Sequence, residues 1–251
     1  MTNELRKNRF KAALIEGRLQ RGVWCTMTDS LAVEMIATLG FDWMMFDTEH
    51  SAMDPISVLP LLQAIAPYPV SPIVRPGSLN PAEIKKLLDL GVQTLLIPMI
   101  QNAAEAAEAV AAVTYPPDGI RGVSGLTRAT GFASVRGYHK AARDEIALIV
   151  QVESMEAVEE IEAIAATPGI DAIFVGPADL AASLGHAGEP SHPAVQHACE
   201  AAIRRIAAAG KPAGFMSADE TFADRITEAG ANFVARDIDL AALKRGLMDR
   251  L

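Results

Sequence analysis

Two short segments, Val150-Gln151-Val152-Glu153 and Phe174-Val175-Gly176-Pro177-Ala178-Asp179, each run an apolar strand-like stretch into a single acid. One helix-length connection separates them, so they read as parallel neighbours whose ends lie about 4.8 Å apart. Carboxylates placed in this way can share one hard divalent cation, and an oxygen-only donor set suits Mg2+ or Mn2+. Two protein ligands leave several octahedral positions open to a bidentate ligand and water. An acid in either place alone is ordinarily a helix N-cap or a first-turn partner of the helix dipole. The pairing is what points to a site. Gln151 faces the same side of the pleat as Glu153, either as a donor to a ligand or as a satisfied polar group inside the fold.

Asp47-Thr48-Glu49-His50 closes another apolar run. A histidine that exchanges a proton near neutral pH is the usual general base. Asp47 is the nearest acid to fix its tautomer, and Glu49 reads either as a third metal ligand or as a plain loop carboxylate. Arg75 ends the run Pro72-Ile73-Val74-Arg75 and is followed by Pro76-Gly77. Its planar fork suits a carboxylate or a developing enolate oxygen. None of the seven lysines stands at a strand end of this kind: six fall on helical or loop segments and Lys211 precedes its strand. Covalent amine catalysis is therefore disfavoured against metal stabilisation of an enolate. No GxGxxG follows a strand and no Walker sequence occurs, which argues against a dinucleotide or NTP site.

These residues must be positioned by regular elements. Strand-like runs are predicted near Gly22–Met27, Phe41–Phe46, Pro72–Arg75, Thr94–Met99, Ala147–Val152, Ala172–Val175, Pro212–Met216 and Asn232–Ala235. Their near-continuous hydrophobicity fits strands covered on both faces, and helical segments alternate with them. Asn80-Pro81-Ala82-Glu83, Asn102 with Glu105, and Ser154 are helix N-terminal signals. Eight alternations predict an α/β fold, a closed (β/α)8 TIM barrel with function on the loops leaving the C-terminal strand ends. The stretch from Tyr115 to about Gly137 is too long for an ordinary connection, and reads either as a lid or binding loop or as a surface excursion.

The 251 residues suit one barrel domain spanning 1–251, with an N-terminal helix in front of it. A net charge of −9 argues against a nucleic-acid partner, which needs a basic face. The charged start, Met1 to Glu16, is unlike a secretory signal, and no stretch approaches the ~20 apolar residues of a membrane span. Cys25 and Cys199 lack metal or redox spacing. A reduced, cytoplasmic protein is the expectation.

Asp47-x-Glu49-His50, Val74-Arg75-Pro76, Leu96-Ile97-Pro98-Met99-Ile100-Gln101-Asn102, Tyr115-Pro116-Pro117-x-Gly119-x-Arg121-Gly122, Gln151-Val152-Glu153 and Gly176-Pro177-Ala178-Asp179-Leu180 occur in order, within a similarity that runs from about Gly22 to Ala235. Together they resemble the class II, metal-dependent pyruvate aldolases of the 4-hydroxy-2-oxoheptanedioate and 2-keto-3-deoxy-rhamnonate aldolase type. The resemblance implies a barrel of the phosphoenolpyruvate/pyruvate superfamily, with its last helix exchanged between subunits of a homohexamer built as a trimer of dimers. It implies Glu153 and Asp179 as ligands of Mg2+ or Mn2+, with Co2+ and Zn2+ as the other candidates. Arg75 and Gln151 would hold a 2-oxo acid, pyruvate or hydroxypyruvate, whose carboxylate the backbone of Gly176, Pro177, Ala178 and Asp179 receives. His50, paired with Asp47, would be the base, and Asp89 would reach the aldehyde from a neighbouring subunit. Met216 would line the acceptor pocket, where relatives often carry aliphatic residues. The reaction implied is reversible joining of the oxo acid to an aldehyde. The alternatives are a CoA-thioester lyase of the citrate lyase β-subunit type and a non-catalytic 2-oxo-acid-binding barrel.

Overall fold

Apolar runs without a solvated face have to be covered on both sides, and in the computed structural model all eight become parallel strands. They are β1 (Gln20–Cys25), β2 (Trp43–Asp47), β3 (Ser71–Arg75), β4 (Thr94–Ile97), β5 (Ala147–Val152), β6 (Ala172–Val175), β7 (Ala213–Met216) and β8 (Ala231–Ile238). The strands pair in chain order, and β8 returns to β1 to close the barrel. Residues 4–251 are described; residues 1–3 of the expected 1–251 domain lie outside them.

Register decides which side chains enter the barrel. Trp24, Trp43, Met45, Ile73, Leu96, Ile149, Phe174 and Phe233 form one interior cluster, capped at one end by Phe10 and Leu14 of the helix Arg9–Ile15. The interior is tight enough to demand glycine twice. A Cβ on Gly22 would fall 2.1 Å from the Trp43 ring, and one on Gly214 2.2 Å from Phe233. A second, larger cluster fills the shell between strands and helices. Counting by two along each strand, the interior set runs Trp43, Met45, Asp47 on β2, and Ile73, Arg75 on β3. On β5 it runs Ala147, Ile149, Gln151 and then Glu153. The apolar layers thus give way to polar side chains at the C-terminal rim.

The helices start where their caps predict. Asn80 accepts from the backbone N–H of Ala82 and Glu83, Asn102 from Ala104 and Glu105, and Ser154 from Ala157. The long stretch after the helix Ala103–Val113 is not a lid over its own protomer's rim. A helix antiparallel to β4 ends at the N-terminal rim, and the stretch stays there: Ala129 N–H donates to the Asp89 carbonyl and Arg128 to that of Leu90. It is a surface excursion that leads into β5. No helix among the described residues is long and apolar enough to cross a membrane.

Candidate active site

At the C-terminal rim, Asp47, His50, Arg75, Gln151, Glu153, Gly176, Pro177, Ala178, Asp179 and Met216 line one pocket, as their strand-end positions predict. Trp24, Thr26, Phe174 and Ile238 complete its wall.

Arg75 and Asp47 form its floor. Arg75 Nε donates to Asp47 Oδ1 at 2.8 Å and Nη2 to Oδ2 at 2.7 Å, with both residues almost wholly buried. Trp24 Nε1–H adds a third donor to Asp47 at 3.1 Å, and its ring lies 4.7 Å beneath the guanidinium. Burial alone would raise the Asp47 pKa, but the hydrogen bonds and charge of Arg75, with the Trp24 and Glu49 N–H groups, hold it below the usual carboxylate range. Arg75 Nη1 also lies 2.9 Å from Glu49 Oε2, an ion contact without hydrogen-bond alignment.

This arrangement corrects one expectation. Asp47 does not orient the His50 ring. It meets His50 only through the backbone N–H, at 3.4 Å, while the imidazole stands exposed at the mouth with Nε2 3.9 Å from Glu49 Oε2. The physical reason is that a buried guanidinium needs a buried counter-charge, and Arg75 takes both oxygens of Asp47.

Glu153 is equally fixed. Its Oε1 accepts from Met99 N–H at 2.8 Å and its Oε2 from Gln151 Nε2. Met99 holds a left-handed backbone, φ 55°, to aim that N–H, a conformation that costs a non-glycine residue about 1 kcal/mol or more. Burial pushes the Glu153 pKa up to about 7; the charges of Asp179 and Glu49 add to the rise, and the Met99 and Gln151 donors oppose it. Gly176 leaves the cradle beside this carboxylate, where a Cβ would stand 2.4 Å from Glu153 Oε2 and 2.6 Å from Gln151 Nε2. Gln151 Oε1 is buried there without a partner. Asp179 projects exposed from the first turn of the helix Pro177–Ser183. Among the described residues no three His, Cys, Asp or Glu side chains are gathered closely enough to cage a metal by themselves.

Residues 20–245 match the model of a family described as HpcH/HpaI aldolase/citrate lyase. The chain belongs to the HpcH/HpaI aldolase family. It is 54% identical over 243 residues to a pyruvate aldolase of Rhizobium etli, covering 97% of this chain and 96% of that one. It is 50% identical to a hydroxypyruvate/pyruvate aldolase of Sagittula stellata, with 98% of each covered. A crystal structure of a family member from Burkholderia cenocepacia superposes with a TM-score of 0.93 at 39% identity, over 97% of this chain and 98% of that one. As an HpcH/HpaI aldolase the chain is an enzyme of the lyase class, and its barrel is the fold that the sequence motifs imply.

Asp89 is the one candidate that this family member keeps away from its own pocket. It ends the helix Pro81–Asp89 at the N-terminal rim and accepts from Arg121 Nη2 at 3.4 Å. Arg121 is fully buried against the Tyr115 ring, 4.4 Å away. Sequence reasoning missed Trp24 and Thr26. Both stand at the end of β1, the same strand-end criterion that found Arg75, but neither type signals chemistry by itself.

Proposed function

We propose that the protein catalyses reversible aldol cleavage and condensation, joining pyruvate or hydroxypyruvate to an aldehyde to give a 4-hydroxy-2-oxo acid, with a divalent cation held by Glu153 and Asp179. The charge balance at the rim carries this reading. Asp47 and Arg75 neutralise one another; burial raises the pKa of Glu49 and of Glu153, and the charge of Asp179 beside both adds to the rise. The Glu153 and Asp179 carboxylates, with no guanidinium or ammonium besides Arg75 among the lining residues, favour a dication. All the donors are oxygens, the orphaned Gln151 Oε1 included, which suits Mg2+ or Mn2+. The names of the two aldolases at about half identity support the oxo-acid donor.

A cation bound there supplies electrophilic stabilisation of negative charge on the 2-oxo oxygen. The chain does the rest. The turn from Gly176 to Asp179 receives the substrate carboxylate. Arg75, buried over Trp24 and fixed by Asp47, directs its remaining N–H groups at the oxo oxygen, where a preorganised donor needs no reorientation as charge develops. His50 takes a proton from C3, giving the enolate, and C3 then bonds to the aldehyde carbon while the aldehyde oxygen gains a proton. Cleavage runs the same steps backwards.

The same reading includes assembly. In the C-terminal helix Asp239–Met248 only Asp239 is buried, and Leu240, Leu243, Leu247 and Met248 are exposed. That apolar face supports exchange of the helix with a neighbouring subunit, within a hexamer built as a trimer of dimers. Asp89, at the far rim of its own barrel, serves the aldehyde end only in a neighbouring copy.

The test is aldol turnover with pyruvate or hydroxypyruvate against a panel of aldehydes, before and after chelation. Activity lost on chelation and restored by Mg2+ or Mn2+ is expected. Full activity in the chelated protein contradicts the cation's role.

A further inference from the structure

Thr26 and Asp239 are 213 residues apart in the chain and meet at the pocket mouth. Thr26 follows the last residue of β1 and lines the pocket; Asp239 follows β8 and is buried. The Asp239 carboxylate accepts from the backbone N–H of Thr26, at 3.0 and 2.9 Å to its two oxygens, and of Met27 at 2.9 Å. It also accepts from Leu240 N–H at 2.7 Å and from the Thr26 hydroxyl at 2.7 Å.

These bonds fix the polarity of the hydroxyl. A carboxylate ringed by donors can only accept, so the single proton of Thr26 Oγ1 points at Asp239. What Oγ1 retains is its acceptor capacity. Its neighbours Trp24, Met216 and Ile238 add no free side-chain donor or acceptor of comparable strength, since Trp24 Nε1–H is already spent on Asp47. In an eight-stranded barrel β1 lies across from β5, so Thr26 stands across the pocket from Glu153. A ligand held at Glu153 and Arg75 presents its far end to this wall.

We propose that Thr26, oriented by Asp239, selects substrates that carry a hydroxyl group at the end remote from Glu153. The inference rests on the aldolase reading and narrows its substrate class. Such a hydroxyl comes from one of two sources: a 2-hydroxy aldehyde acceptor, or the 3-hydroxy group of hydroxypyruvate as donor. The position of Thr26 across the pocket from Glu153 favours the acceptor, the reactant that lies farther from that carboxylate than the oxo acid.

Two substrate pairs separate the sources: glycolaldehyde against acetaldehyde with pyruvate, and hydroxypyruvate against pyruvate with one common aldehyde. Thr26→Val keeps the shape and removes the acceptor, while Asp239 keeps its backbone donors. The hydroxylated member of one pair is expected to lose roughly five- to tenfold more in kcat/KM than its deoxy counterpart, as for loss of one neutral hydrogen bond. Thr26→Ser restores the ratio. The pair that moves identifies the source, and the acceptor pair is the one expected. Equal losses within both pairs, or no change in either ratio, overturn the inference. If wild-type protein turns over none of these combinations, the aldolase reading fails separately. Dissociation constants for the same compounds, by NMR titration of wild type and Thr26→Val, then decide the role of Thr26.

Discussion

Arg75 grips Asp47 through two parallel hydrogen bonds, 2.8 and 2.7 Å long, at the floor of the pocket. Geometry of this kind belongs to a guanidinium and to no ammonium. Arg75→Lys is therefore expected to lose turnover on the order of a hundredfold, the usual loss for one preorganised donor at developing charge. Steady-state kinetics with pyruvate measures it, and a rate near wild type would reduce Arg75 to a structural residue.

Removing the partner tests the same pair from the other side. Asp47→Ala leaves Arg75 buried with only the poorly aligned Glu49 contact, and breaking a buried pair in this way costs roughly 3 kcal/mol. Denaturant unfolding should show the loss, whereas a change near zero would mean that water or Glu49 replaces Asp47 without penalty.

The pair also predicts a pH dependence. Despite its burial, Asp47 is held below the ordinary carboxylate pKa by Arg75, Trp24 and the Glu49 N–H. The folded state then binds this proton less readily than the unfolded chain, so the contribution is complete above about pH 4 and disappears as pH falls through the lower folded value. The stability difference between wild type and Asp47→Asn should hold level down to about pH 4 and shrink as pH is lowered from about 4 towards the lower folded value. A difference constant across that window would contradict the assignment.

Much of this was legible in the chain. Strands buried on both faces read as unbroken apolar runs, and Arg75, Glu153 and Gly176 announce themselves because they interrupt such runs at one end. Partnerships were less legible. Asp47 and His50 are neighbours in sequence, yet the barrel turns Asp47 inward to Arg75 and leaves His50 outside. Thr26 and Asp239 have no local signal at all, because closure of β8 on β1 brings them together. The stretch after Tyr115 could have been placed at the N-terminal rim, since it follows a helix and not a strand.

Gly176 gives a steric test. An alanine Cβ would stand 2.4 Å from Glu153 Oε2 and 2.6 Å from Gln151 Nε2, so both must move. Gly176→Ala should weaken Mn2+ binding roughly ten- to hundredfold, as displacing a ligand's support does, with thermal stability nearly kept. Unchanged affinity in calorimetric titration would show that the cradle is not the metal's neighbour.

The most direct measurement is exchange of the C3 protons of pyruvate in D2O, followed by NMR, in wild type and Glu153→Gln with and without Mn2+. Wild type should exchange them only with the cation present, and Glu153→Gln should do so in neither condition while remaining folded. Exchange that persists in metal-free protein, or in Glu153→Gln at the wild-type rate, would contradict deprotonation at a cation held by Glu153.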